Sequence, residues 1–186
     1  PGRPRSRISD TPAGRVVEIP AMRNVFVLGI LSVWLVGWSV GWLAAASQLF
    51  ADRVPAGLLV IWLPIWTAAG GFALFAVIWG IAGREVITAA PGSLVLERRI
   101  GGLGRARRYD TSLIRDLRVS AQPYRPFDRR SGLWFWGISG GWIAFDYGAR
   151  TIRFAAGLEE AEAKQVVARL LESVPSIGSQ QIPVMR

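Results

Sequence analysis

At 186 residues the chain has room for a membrane segment and one domain of about 100 residues. Its apolar content of 51% gathers in the first 83 positions, and its formal charge is +9, with 21 of the 22 basic residues being Arg and Lys164 the exception. The absence of Cys and His excludes disulfide frameworks, thiolate metal sites, cysteine nucleophiles and Ser-His triads.

Residues 1–22 read as a basic tail carrying Arg3, Arg5, Arg7 and Arg15. Two uncharged apolar runs follow, Asn24–Ala51 and Val54–Gly83, each longer than the roughly 20 residues a helix needs to cross a bilayer. Asp52 and Arg53 are the only charges between them, so residues 23–83 are expected to form a transmembrane helical hairpin turning near Asp52–Gly57. Ala44-Ala45-Ala46 offers a cleavage pattern, but the run is far longer than the roughly 7–15 residues of a signal h-region. Arg23 before the hairpin, and Arg84, Arg98 and Arg99 after it, are expected to place both ends on the cytoplasmic side by the positive-inside rule. Neither span contains an ionisable residue, which argues against a transporter, channel or proton relay.

Trp34, Trp38 and Trp42 recur every four residues and form one stripe. The stripe reads either as a lipid- or helix-facing surface or as a contact face for another membrane protein, pigment or quinone. Gly37 and Gly41 make a GxxxG that Ala45 extends, and Ala69 and Ala73 repeat the pattern on the second span. Small residues let helix backbones approach, here between the two spans or against a partner's helix. Pro64 is expected to kink the second span, and Trp79 fits an interfacial belt.

From residue 84 to 175 the pattern changes to short alternating runs broken by Gly and Pro. Strands are expected near 85–90, 93–100, 105–109, 113–120, 133–138, 142–146 and 151–155. Pro91-Gly92, Gly101-Gly102, Gly140-Gly141 and Gly148-Ala149 mark the turns. Leu158, Ala161, Val166, Val167, Leu170, Leu171 and Val174 give one amphipathic helix, with Glu159, Glu160 and Glu162 at its positive end and Pro175 stopping it. Residues 176–186 read as a polar tail.

Seven strands and a closing helix describe a small β-rich, pleckstrin-homology-like (PH-like) barrel plugged at one end. The segments Gly83-Arg84-Glu85-Val86, Leu94-Val95-Leu96-Glu97-Arg98, Tyr109 to Leu117, Phe145-Asp146-Tyr147-Gly148 and Ile152-Arg153-Phe154 carry a resemblance to bacterial PH-like domain membrane proteins with an N-terminal two-helix hairpin. The resemblance spans roughly residues 20–175 and implies a scaffold or assembly role rather than a reaction.

Arg98, Arg99, Arg105, Arg107 and Arg108 form the densest basic cluster, on the two arms of one expected hairpin. They read as contacts for anionic lipid headgroups or as solvated charges that only set topology. No nucleic-acid motif accompanies them, and Gly101-Gly102-Leu103-Gly104 is no phosphate loop because no GK[ST] follows. Arg125, Arg129 and Arg130 lie in a long loop. Trp134, Phe135 and Trp136 are consecutive on an expected strand, so they face both ways, and one side should meet lipid, the hairpin or a partner. Asp110, Asp116, Asp128 and Asp146 show no spacing suited to acid–base or metal chemistry. The expectation is a non-catalytic accessory, scaffold or assembly subunit of an integral membrane complex, of respiratory or photosynthetic type, with no cofactor of its own. Its expected partners are other membrane subunits, through Trp34, Gly37, Trp38, Gly41, Trp42 and the 134–136 aromatics. The alternative is a stand-alone module binding anionic lipids.

Overall fold

The computed structural model describes residues 5–12, 14–48, 56–120 and 140–174. The chain forms two compact units, one of Pro1–Met22 with Ala82–Arg186 and one of Arg23–Ile81.

The first unit is β-rich. Strands β1 (Arg7–Thr11), β2 (Gly14–Pro20), β3 (Gly83–Ala90), β4 (Ser93–Ile100) and β5 (Leu103–Asp110) pair in that order as one antiparallel sheet. Strands β6 (Ile114–Val119), β7 (Ile143–Tyr147) and β8 (Arg150–Phe154) form a second, and helix α3 (Glu160–Ser173) follows. The expected antiparallel strands and closing helix are present. The expected barrel is not, because no ladder joins the two sheets among the described residues. One core nevertheless serves both. Val17, Ile19, Ile87 and Leu94 of the larger sheet, Ile114, Ile143 and Phe145 of the smaller, and Val166 and Leu170 of α3 are all buried in a single cluster. In α3 the buried set Ala163, Val166, Val167 and Leu170 follows i, i+3, i+4, i+7 spacing, so one helical stripe faces the core.

The segment expected to be a basic tail forms β1 and β2 instead. Val17 and Ile19 alternate inward and are fully buried, and β2 pairs with β3 from Arg15↔Ala89 to Pro20↔Arg84. Two of the segment's cations are tied down: Arg15 donates to Asp10 (2.8 Å) and to the Arg169 carbonyl (3.0 Å), and Arg5 to the Gly157 carbonyl (3.2 Å). The helical segment is thus an insertion between two paired strands. Ala21 N–H still donates to the Gly83 carbonyl (2.9 Å), one residue beyond the ladder.

The second unit holds α1 (Val25–Gln48) and most of α2 (Ala56–Ala82). Both helices are long and apolar enough to cross a membrane. Asn24 caps α1 by accepting from Val27 N–H (3.2 Å), and Arg23 donates to the Ile81 carbonyl in the last turn of α2 (2.9 Å). Of the turn expected near Asp52–Gly57, Ala56 and Gly57 instead open α2 and residues 52–55 lie outside the described residues, as do the strand expected at 133–138 and the arginines 125, 129 and 130.

Candidate functional site

The β4–β5 hairpin turns through Gly101-Gly102, with Gly101 at φ +59 in the first central position, as a type II′ turn requires. Register sets the face of each arginine. Arg98 pairs with Arg105 and Leu96 with Arg107, so those arginines share the core-side face, whereas Arg108 opposite Val95 points the other way. Two of the five predicted cations are engaged. Arg98 Nε donates to Glu85 (2.8 Å), and Arg99 Nε donates to Glu97 (2.8 Å), an interaction that raises the Arg99 pKa. Arg105, Arg107 and Arg108 are exposed and form no ion pair among the described residues. At the tip Leu103 is 84% exposed. Leu103 is not among the expected contact residues; its signal in the sequence is an apolar residue between two glycines at the head of an arginine-rich strand.

This tip lies at one particular end of the sheet. Gly83 pairs with Ile100, which pairs with Leu103, and Arg84 pairs with Arg99, which pairs with Gly104. Gly83 is peptide-bonded to the last residue of α2. The hairpin tip therefore sits on the rung where the chain enters the sheet from the apolar helix, two strand spacings or about 10 Å along it.

Within the helical unit two members of the tryptophan stripe, Trp38 and Trp42, pack on α2, whereas Trp34 is 45% exposed. Trp38 meets Trp34 (6.4 Å between ring centroids) and, edge to face, Trp66 (6.4 Å, 81°). Its ring lies on Gly70, where an added Cβ would come within 2.1 Å of it. Trp42 donates its indole N–H to the Thr67 hydroxyl (2.8 Å). Gly41 gives room to Trp66, whose ring would lie 3.1 Å from a Cβ there, whereas Gly37 has open space around it. Trp134, Phe135 and Trp136 lie outside the described residues.

The carboxylates serve the fold. Asp146 accepts from Arg118 (3.0 Å) and from the Thr151 hydroxyl (2.6 Å), and Asp116 also accepts from Arg118. The Arg118 pKa is raised, chiefly by its hydrogen bond to Asp146. No group of three potential metal-ligating side chains occurs among the described residues. Asp110 accepts from the Ser112 hydroxyl (2.6 Å) and backbone N–H (2.9 Å), capping the 3-10 turn Thr111–Leu113. Those two bonds, the hydroxyl's first, hold its carboxyl below the usual range. Because the folded value is the lower one, its stabilisation is complete above the unfolded value of about 3.9 and is lost as pH falls through the folded value. Asp110→Ala is therefore expected to melt earlier than the parent at neutral pH, with the gap closing below about pH 4. A gap that persists undiminished in acid contradicts this assignment.

No family model, no curated protein and no solved structure matches this chain.

Proposed function

We propose that this chain is a non-catalytic accessory or scaffold subunit of an integral membrane complex of the bacterial inner membrane, spanning twice with both termini cytoplasmic. The β-unit is a PH-like head. Its strands β2–β5, then β6–β8, then α3 follow a four-plus-three arrangement with a C-terminal helix, which supports that reading. The helical insertion begins and ends on paired neighbouring strands, Pro20 opposite Arg84. Both ends of the insertion must then lie on one side of the bilayer, which fits an even number of crossings. Arg-rich flanks make that side cytoplasmic.

The observation that carries the subunit reading is the state of α1. None of its 24 residues is buried, although Trp38 and Trp42 already engage α2. Val33, 75% exposed, and the open Gly37 lie on surface that the seam does not use. In hydrocarbon, close packing of small residues rather than hydrophobicity drives helix association, so such a face suits a neighbouring helix. A blue-native gel of mildly solubilised native membranes tests this. The chain is expected to migrate with an assembly well above its own 20.3 kDa, and Gly37→Leu is expected to release it while leaving it in the membrane. Migration of the parent alone would count against the subunit reading and favour the stand-alone lipid module.

A further inference from the structure

We infer that the β4–β5 tip is a lipid-reading site, in which Leu103 enters the headgroup layer and Arg105, Arg107 and Arg108 bind anionic headgroups of the bilayer that the two helices cross. It rests on the membrane-spanning reading but not on membership of a complex.

Three observations converge on it. The first is position. The rung Ala21–Gly83–Ile100–Leu103 is the one at which the chain leaves the sheet for the apolar segment and returns from it, so a bilayer crossed by that segment is tethered at this end. The Pro91-Gly92 turn follows Ala90, the other end of β3, seven residues or about 23 Å along the strand from Gly83. The second is uncompensated charge. Among the described residues, the carboxylates of β2, β3 and β4 near this end each face an arginine: Glu85 with Arg98, Glu97 with Arg99, and Glu18 with Arg84 at 4.0 Å. The three arginines of β5 are what remains. They occupy an edge strand, so side chains on either face can swing to the same side. The third is the exposed Leu103 itself. Charges on an edge strand are a common guard against sheet-to-sheet aggregation, but a guard does not place an 84% exposed leucine at its tip. An apolar tip within a cationic collar is the chemistry of interfacial insertion, where burial and attraction to anionic lipid act together.

The chain has no Cys, so a single introduced thiol reports on one place. Full-length Leu103→Cys carrying an environment-sensitive fluorophore would be reconstituted in nanodiscs of phosphatidylcholine, with and without phosphatidylglycerol. The expected result is a blue shift of the label only with phosphatidylglycerol, reversed in about 1 M salt, where the Debye length is about 3 Å. Arg105→Gln, Arg107→Gln and Arg108→Gln should each weaken the response to phosphatidylglycerol about fivefold, and the triple variant should abolish it. As a charge control, Arg115→Gln with Arg150→Gln should leave it unchanged. Both are exposed, and Arg150 lies five residues along the chain from Ala155, which bonds Glu85 at the tip's end of the fold. A shift of equal size in pure phosphatidylcholine, or none in either lipid, overturns the proposal. So does a shift seen only in native membranes, which would assign the tip to a protein partner. Failure of the chain to enter nanodiscs would instead refute the membrane-spanning reading, and the native gel reports separately on the complex.

Discussion

Glu85→Ala is expected to destabilise the β-unit by about 2–4 kcal/mol, a large share of the stability of a domain this size. Glu85 points inward from β3 and is 6% exposed. One oxygen accepts from Arg98 Nε (2.8 Å), and the other accepts from the Ala155 backbone N–H (2.7 Å), which joins the larger sheet to the chain leaving β8. Ala155 is fully buried and sits at φ +65, so its amide has no water to turn to when the carboxylate is removed. The ionic half of the interaction matters less. The Arg98 side chain is 39% exposed, and solvent screens much of that pair. The two halves can therefore be separated. Glu85→Gln keeps a carbonyl oxygen for the amide and should cost only about 1 kcal/mol. Hydrogen exchange of β3 and β8 amides, measured on the full chain in detergent, reads both variants. Equal losses for Gln and Ala would show that the charge, and not the bridge to Ala155, holds the sheets together.

The helical segment and most of the β-unit were legible from local pattern. β4 is expected and found at 93–100, and β3, β5, β6, β7 and β8 differ by a residue or two at their ends. Alternating side chains and Gly-containing turns act within a few residues, which is the range a sequence window sees. β1 and β2 were not legible because β2 is held by β3, on the far side of the apolar insertion, and β1 in turn pairs with β2. Pro12, Gly14 and Pro20 lower the strand propensity of that segment, and its arginines give it the composition of a basic tail. The buried alternation of Val17 and Ile19 was the available cue. At the candidate site the hairpin was legible, but the state of each arginine was not. Arg98 is engaged only because register puts it opposite Glu85, thirteen residues away. The tryptophan stripe was equally ambiguous, since its partners Trp66, Thr67 and Gly70 lie on the other helix.

Gly141→Ala is expected to have the largest effect of any conservative change in the β-unit, about 3–5 kcal/mol or outright failure to fold. Gly141 sits at φ +144, a conformation that residues with a side chain rarely adopt. Its added Cβ would lie 1.7 Å from the Phe154 carbonyl oxygen and 2.1 Å from that carbonyl carbon. Those are backbone atoms, so no rotamer change relieves the overlap. Ile143 pairs with Phe154, so relief requires β7 to part from β8 and draws the fully buried Ile143 and Phe145 out of register. Gly101→Ala is the matched comparison. That glycine also has positive φ, at +59, but nothing lies within 4 Å of an added Cβ, so only the conformational cost of about 1 kcal/mol applies. The same stretch of chain is held twice more. Ala155 is bonded to Glu85, and Gly157 packs so closely on the Pro20 carbonyl that a Cβ would stand 2.0 Å from its oxygen. Residues 154–157 are thus clasped to the end of the sheet from which the helical insertion departs. In Gly141→Ala, faster exchange should appear in β7 and β8 and extend to the amides of β2 and β3, while the amides of α1 keep the parent's protection. Loss confined to β7 and β8 would mean that the clasp does not couple the two sheets.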